Sequence, residues 1–394
     1  MRLLIALTYY RPYTSGLTIY VERLARAMVR RGHSVTVLTS QHDPNLPLRE
    51  EIEGVHVVRA PVMARISKGV IMPTFGRLAS ALAAEHDVMN LHLPQFETPG
   101  LALRGRLRRM PVVLTYHCDV KLVPTLANRA ANAAVDLANN IGAILATAIV
   151  TYTQDYADHS PYLSRYHSKV RIIPPPVEMP QVDDLEIGAF AQRWDIRGPV
   201  IGMVARLAAE KGVEVLLRAL PRILQVYPDA KVMFAGTYKN VLGEQAYAQR
   251  LQPMLEQHKE RWIFLGNLSQ RDLAAFYPNC SMVVVPSLNS TEAFGLVQVE
   301  SMLSGTPSIA SALPGVRQAV HQTGMGEVVP IGDSDALAAA IIRVIRNRDQ
   351  YVQPREVIAA RYNTDKTVEE YEKLFAELVY RKTGEPLQPE LSGS

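Results

Sequence analysis

Short apolar runs alternate with longer amphipathic stretches along the chain. Leu3–Leu7, Val35–Thr39, Val55–Val58, Val88–Leu91, Val112–Thr115, Ala148–Tyr152 and Val170–Ile173 are nearly continuous apolar runs and read as strands. Such runs suit a parallel sheet, whose strands are buried on both faces. The segment Leu17–Arg31 is different. Leu17, Tyr20, Val21, Leu24, Ala27 and Met28 recur at helical spacing, and Gly32 follows as a helix stop. Helical segments lie between most of the strands, and this alternation predicts an α/β sheet covered on both faces.

Pro174-Pro175-Pro176 interrupts the pattern, because three prolines fit neither a helix interior nor a central strand. Val182–Gly198 is polar and irregular in pattern, so a hinge is expected over residues 176–198. The alternation then restarts. Val200–Val204, Lys231–Ala235, Trp262–Leu265, Met282–Val285 and Ser308–Ala310 are strand candidates. Val213–Val226, Leu242–His258, Arg271–Tyr277, Phe294–Leu303 and Asp335–Arg346 are helix candidates, and Thr367–Tyr380 is a last amphipathic one. Two doubly wound domains are expected, residues 1–175 and 199–362. Facing each other, they would form a cleft at the carboxyl ends of their strands, where open α/β sheets bind ligands.

Composition narrows the functional classes. The 394 residues suit two domains. A net charge of +4 is too small to argue for nucleic acid as a partner. Two cysteines, Cys118 and Cys280, make no disulfide framework and fit a reducing, cytoplasmic setting. The apolar run at the start is too short for a signal peptide and reads as a buried strand. The longest candidate for a membrane span, Ile141–Val150, has ten residues where a span needs about 20. The chain is therefore expected to be soluble. Arg104, Arg106, Arg108 and Arg109 form a basic cluster that would allow peripheral contact with an anionic membrane at its inner face.

Four segments carry candidate chemistry. In Pro286–Pro307, a buried strand ends in a polar loop that runs into a helix near Phe294. Glu292 stands at the helix mouth and Glu300 two turns inside. Gly295 permits close approach of a ligand to backbone, and the first N–H groups of the helix favour an anion. By themselves the two glutamates could equally complement a helix dipole and line a solvated face. In Gly202–Gly212, a strand delivers Arg206 and Lys211 to the following loop. In Tyr9–Gly16, the loop between the first strand and helix sits where a doubly wound domain binds phosphate. Fourth, His117 lies just past a buried strand, with Asp119 two residues on.

The Pro286–Pro307 stretch resembles the signature of glycosyltransferase family 4, two glutamates separated by seven residues within a P-S...E-x-F-G and E-x-M-x-x-G-x-P frame. Arg206 and Lys211 resemble that family's G-R-x-x-x-x-K-G phosphate clamp. Tyr9–Gly16 resembles its N-terminal loop, with Ser15-Gly16 where two glycines are usual. Pro314–Gln318 resembles a loop that often ends in Glu; Gln318 carries no charge. The matches run from residue 3 to about residue 345 in the family's order.

The resemblance implies a GT-B fold: two Rossmann-like domains, with the acceptor in the first and the donor in the second. A C-terminal helix over 363–382 would cross back to the N-terminal domain, and 383–394 would be a disordered tail. It implies that Glu292 faces the donor sugar and that the backbone of Phe294, Gly295 and Leu296 holds sugar and phosphate. Glu300 would take the ribose hydroxyls, Arg206 and Lys211 the diphosphate, with Gly16 close to it. His117 would contact the sugar, and Tyr9 and Asp119 would lie on the acceptor side. The activity implied is retaining transfer of a hexosyl group from UDP- or GDP-hexose to a glycan or lipid-linked acceptor by a front-face reaction. It would serve cell-envelope polysaccharide or glycolipid synthesis. No cofactor or metal is expected, because the D-x-D triplet Asp333–Asp335 precedes an alanine-rich helix and reads as an N-cap. A sugar-nucleotide epimerase and a catalytically inactive sugar-nucleotide-binding protein are the competing classes.

Overall fold

The computed structural model describes residues 1–66, 69–119, 126–241 and 243–383. The chain divides into two compact units. One comprises residues 1–176 and the segment that starts at Asn363; the other is Val177–Tyr362.

The first unit contains β1 (Arg2–Ala6), β2 (Ser34–Gln41), β3 (Arg49–Ile52), β4 (Val55–Pro61), β5 (Ala64–Ile66), β6 (Gly69–Ile71), β7 (Val88–Leu93), β8 (Val112–Tyr116), β9 (Ala148–Thr151) and β10 (Val170–Ile172). Its helices are α1 (Gly16–Arg30), α2 (Phe75–Glu85), α3 (Thr98–Leu107), α4 (Leu126–Leu145), α5 (Gln154–His159) and, returning from the far end of the chain, a helix over Thr364–Thr383. Among the described residues, the strand order in the main sheet is β10-β9-β8-β7-β1-β2-β4-β3. Among the described residues of that sheet, only β3 runs antiparallel to its neighbour; β5 and β6 form a separate antiparallel pair. Every residue of β7 and β8 is buried, as a parallel central strand requires. β1 sits between β2 and β7, so strand order reverses there. The loops after β1, β7 and β8 therefore gather at one edge of the sheet.

Ser15 caps α1 through its hydroxyl, which accepts from the Thr18 N–H at 3.2 Å. The Thr364–Thr383 helix packs along α1. It buries Val368, Tyr371 and Phe375, and its Glu372 accepts from Arg31 Nε at 2.8 Å.

The second unit contains β11 (Val200–Val204), β12 (Lys231–Ala235), β13 (Trp262–Gly266), β14 (Met282–Val285), β15 (Ser308–Ser311) and β16 (Gly326–Val329), all parallel, in the order β13-β12-β11-β14-β15-β16. Its helices are α6 (Asp184–Arg193), α7 (Val213–Val226), α8 (Gln245–Gln257), α9 (Gln270–Phe276), α10 (Leu296–Leu303), α11 (Gln318–Thr323), α12 (Ser334–Arg346) and α13 (Arg355–Arg361); the returning Thr364–Thr383 helix is α14. Leu216, Leu220 and Ile223 of α7 join Leu337, Ile341 and Val344 of α12 in one buried cluster. Each such side chain stabilises the fold by about 1.5–3 kcal/mol relative to exposure.

The structure departs from the sequence reading in several places, and the short helices α11 and α13 are additions to it. The stretch expected as an irregular hinge holds α6. Asp183 and Glu186 form a reciprocal capping box there, and Phe190 is buried near the Phe276 ring. The helix expected from Phe294 begins at Leu296, because Gly295 takes φ +75°, which interrupts helical backbone. β3, β5, β6 and β16 were not expected; they are short, and β3 is Arg-Glu-Glu-Ile. The expected helix start at Leu242 and the tail beyond Thr383 lie outside the described residues.

Candidate active site

In the second unit, β11 and β14 are neighbours at the point where strand order reverses. Their carboxyl-end loops carry the two chemical constellations side by side. Gly212 permits the approach. It takes φ +67°, and a Cβ there would lie 2.1 Å from the carbonyl oxygen of Pro286. The Leu288 N–H donates to the Glu210 carbonyl at 2.9 Å, fastening one loop to the other. Lys211 Nζ consequently donates to Glu292 Oε2 at 2.5 Å across 81 residues of sequence. Arg206 donates to Glu210 at 3.2 Å, with its side chain 39% exposed. Lysine has three donors and arginine five, so these pairings leave capacity for an anion.

The mouth of α10 adds a third element. Gly295 occupies the N-cap position without a side-chain capping bond, and the Gln298 N–H donates to its carbonyl at 3.0 Å, so the N–H groups of Leu296 and Val297 are the ones at the helix start that could meet an anion. The Phe294 ring is buried, edge-on to Tyr362 at 5.8 Å, which leaves its backbone as the part presented. Gln298 is wholly buried. Its Nε2 donates to the Phe294 carbonyl at 3.0 Å and to the Val316 carbonyl at 2.9 Å, tying the helix mouth to the Pro314–Gln318 loop. Glu300 is buried, not on a solvated face, and accepts from the Tyr277 hydroxyl at 3.1 Å. Asp333 caps α12, accepting from the Ala336 N–H at 2.9 Å.

In the first unit, Gly16 opens α1, and a Cβ there would meet nothing within 4 Å. Tyr9 stacks on Tyr13 at 4.8 Å. The loop they share is held by buried Arg59, whose Nη2 donates to the Arg11 carbonyl at 2.9 Å. His117 is buried at the end of β8. Its Nε2 lies 2.8 Å from His92 Nδ1, and its Nδ1 meets the Tyr152 hydroxyl. Burial pushes its imidazole down to about 3. Asp119 accepts from the Tyr116 and Ser160 hydroxyls, each at 2.8 Å, and from the Tyr156 hydroxyl at 3.0 Å. That carboxylate braces the loop after β8.

Known families match both units. The family described as Glycosyl transferases group 1 matches residues 189–361, and the Glycosyl transferase 4-like domain matches residues 15–176. The chain belongs to glycosyltransferase family 4. Among its relatives, the phosphatidyl-myo-inositol mannosyltransferase of Mycobacterium leprae is 26% identical over 369 residues, covering 92% of this chain and 93% of that protein. The D-inositol 3-phosphate glycosyltransferase of Acidothermus cellulolyticus is 26% identical over 389 residues, covering 90% and 84%. Solved structures of similar fold include the sucrose-phosphate synthase of Thermosynechococcus elongatus, with TM-score 0.76, 21% identity, and coverage of 96% of this chain and 99% of that one. Anabaena HepE in complex with UDP-glucose gives TM-score 0.77 at 17% identity, covering 96% and 100%. The enzyme is thus a glycosyltransferase of GT-B fold.

Sequence reasoning about this glycosyltransferase missed Tyr277, Gln298, Asn90 and His92. Tyr277 and Gln298 carry no local signal beyond position. Asn90 and His92 do carry one: they are polar residues two apart inside an apolar strand, so they share a face of the sheet, where burial demands partners.

Proposed function

We propose that this glycosyltransferase moves a hexosyl group from UDP-hexose or GDP-hexose to a glycan or lipid-linked acceptor, with retention of anomeric configuration. The Lys211–Glu292 contact at the mouth of α10 carries the proposal. It sets a cation for the diphosphate beside a carboxylate for sugar hydroxyls and a helix start for phosphate oxygen. The leaving nucleotide gains negative charge in the transition state, so Arg206, Lys211 and those N–H groups stabilise it preferentially. Glu300, steadied by Tyr277, takes the ribose hydroxyls, and His117 meets a hydroxyl of the sugar.

A double displacement needs a carboxylate nucleophile under the sugar. Glu292 is engaged by Lys211 and by the Ser287 hydroxyl at 3.5 Å, which favours front-face attack, with the leaving phosphate taking the acceptor proton. Arg206 and Lys211 supply the positive charge in this scheme, so turnover is proposed to be metal-independent. The two relatives above are named for inositol-bearing acceptors, which makes such acceptors the first to try. The test is incubation of the full chain with labelled UDP-glucose or GDP-mannose and vesicles containing phosphatidylinositol. Label should enter the lipid phase with the donor's anomeric configuration. An inverted product or a trapped glycosyl-enzyme adduct refutes the scheme.

Peripheral membrane contact is part of the same reading. No helix among the described residues is long and apolar enough to cross a membrane. On and just after α3, Arg106, Arg108 and Arg109 are exposed beside Leu103 and Leu107, which are 46% and 75% exposed. Arg104 does not belong with them: it donates to Ser80 Oγ and the Gly100 carbonyl, both at 2.8 Å. Binding to anionic vesicles should weaken when the three exposed arginines become Ser; undiminished binding removes this part of the proposal.

A further inference from the structure

A line of buried side chains runs through the first unit to His117, and its proton positions can be read from one end. Asn90 on β7 is wholly buried. Its Nδ2 donates to the Val113 carbonyl at 3.2 Å and to Thr115 Oγ1 at 2.9 Å. The opposite orientation would set Oδ1 against that carbonyl, acceptor facing acceptor, so the amide orientation is determined. Oδ1 therefore faces His92 Nε2, 2.8 Å away, and His92 Nε2 must carry the proton. Burial, and then the neighbouring His117, holds the His92 imidazole well below its ordinary range, so it is neutral and its Nδ1 is bare.

That bare nitrogen lies 2.8 Å from His117 Nε2, which must donate to it. His117 is neutral by the same burial, so its own Nδ1 is bare and accepts from the Tyr152 hydroxyl. The rings have little room to turn. Tyr20 stands edge-on to His117 at 5.0 Å and to His92 at 5.7 Å. Thr115 Oγ1 continues the line to the Tyr371 hydroxyl at 2.8 Å, and that hydroxyl lies 2.8 Å from the Tyr20 hydroxyl. The line is thus anchored by α14.

We propose that Asn90 and His92 are positioning residues that fix His117 as the Nε2–H tautomer, so that it can only accept a hydrogen bond from the substrate hydroxyl that takes Tyr152's place. This rests on the reading of His117 as a sugar contact. It adds a polarity to that contact: the sugar hydroxyl donates and His117 accepts. A substrate analogue with a fluorine or a methoxy group at the contacted position cannot donate and should lose the contact.

The first test does not depend on turnover. In ¹⁵N-labelled full chain at neutral pH, His117 should show a protonated Nε2 and a bare Nδ1 by NMR. His92→Phe keeps the volume but removes the acceptor, and Asn90→Leu removes the amide that sets His92. Either change should disturb the His117 tautomer. Either should also lower kcat/KM for transfer roughly 3–10-fold, the worth of one neutral hydrogen bond. Affinity for the nucleoside diphosphate, which lacks the sugar, should be unchanged. A protonated Nδ1 on wild-type His117 overturns the proposal, as does a variant with a disturbed tautomer and wild-type kcat/KM. Loss of sugar transfer and nucleotide affinity together in both variants overturns it in favour of a purely structural role. An enzyme that transfers no sugar yet shows the expected tautomer would instead locate the error in the functional reading.

Discussion

Gly212→Ala tests whether the approach of two loops makes the active site. The glycine has φ +67°, and a left-handed conformation costs a non-glycine residue roughly 1–2 kcal/mol. The new Cβ would start 2.1 Å from the Pro286 carbonyl oxygen, where ordinary contact begins at 3.4 Å. The loops must therefore part by about 1 Å. Such a shift strains the 2.9 Å Leu288–Glu210 hydrogen bond, worth about 1 kcal/mol. The second unit should lose about 2–3 kcal/mol in all. The larger consequence is kinetic. Displacing Lys211 from Glu292 by about 1 Å should lower kcat on the order of 10²-fold, the range for misplacing a catalytic group by that distance.

The assay is convenient, because both tryptophans, Trp194 and Trp262, belong to the second unit. Urea unfolding followed by tryptophan fluorescence therefore reports that unit, alongside kcat at saturating donor. Gly188→Ala is the matched control. It lies exposed inside α6, its Cβ would meet nothing within 4 Å, and it should gain up to about 1 kcal/mol with unchanged turnover. Wild-type kcat and stability in Gly212→Ala would show that the loops do not depend on this glycine, and the reasoning fails.

Three further outcomes are expected. Lys211→Ala should fold normally and lower kcat by roughly 10²–10³, the loss for one such electrostatic group; near-normal turnover removes Lys211 from the mechanism. Asp333→Ala should cost about 0.5–2 kcal/mol as a lost N-cap and leave turnover unchanged, as should a chelator; loss of activity in either case would point to metal chemistry. For Glu372, burial raises the carboxyl pKa, but hydrogen bonds from Arg31 and His33 outweigh it, and the net shift is downward. Its contribution is therefore present above the unfolded carboxylate range and lost as pH falls through the folded value. Denaturant melts from about pH 7 down to 3 should show wild type losing stability faster than Glu372→Gln; parallel curves would remove the pair from the acid response.

The sheets were legible because parallel central strands are apolar on both faces, so Val112–Thr115 or Met282–Val285 stands out without context. α6 was not, because what starts it is a polar exchange between Asp183 and Glu186, invisible to apolar periodicity. β3 was hidden for a similar reason: an edge strand of Arg-Glu-Glu-Ile carries the charge that edges tolerate. As candidates, Arg206, Lys211, Glu292 and Glu300 were readable because their segments resemble the motifs of the family. Their partners were not. Tyr277 meets Glu300 from 23 residues away, and Gln298 reaches Val316 from 18, distances that only the folded chain closes. The partners of Asp119 were hidden in the same way: its oxygens accept from the hydroxyls of Tyr116, Tyr156 and Ser160, the last two 37 and 41 residues away.

The return of α14 to the first unit orders events during synthesis. Tyr371, which completes the buried line to His117, is encoded after the whole of the second unit. At ribosomal speeds of roughly 5–20 residues per second, the intervening stretch takes on the order of 10–40 s to emerge. For that interval α1 and β8 wait without the helix that covers Tyr20 and Thr115, while the strands of the second unit emerge one after another. The part of the enzyme begun first is the part finished last. A ribosome that stalls between Tyr362 and Tyr371 releases a chain whose second unit is whole and whose first unit lacks its closing helix.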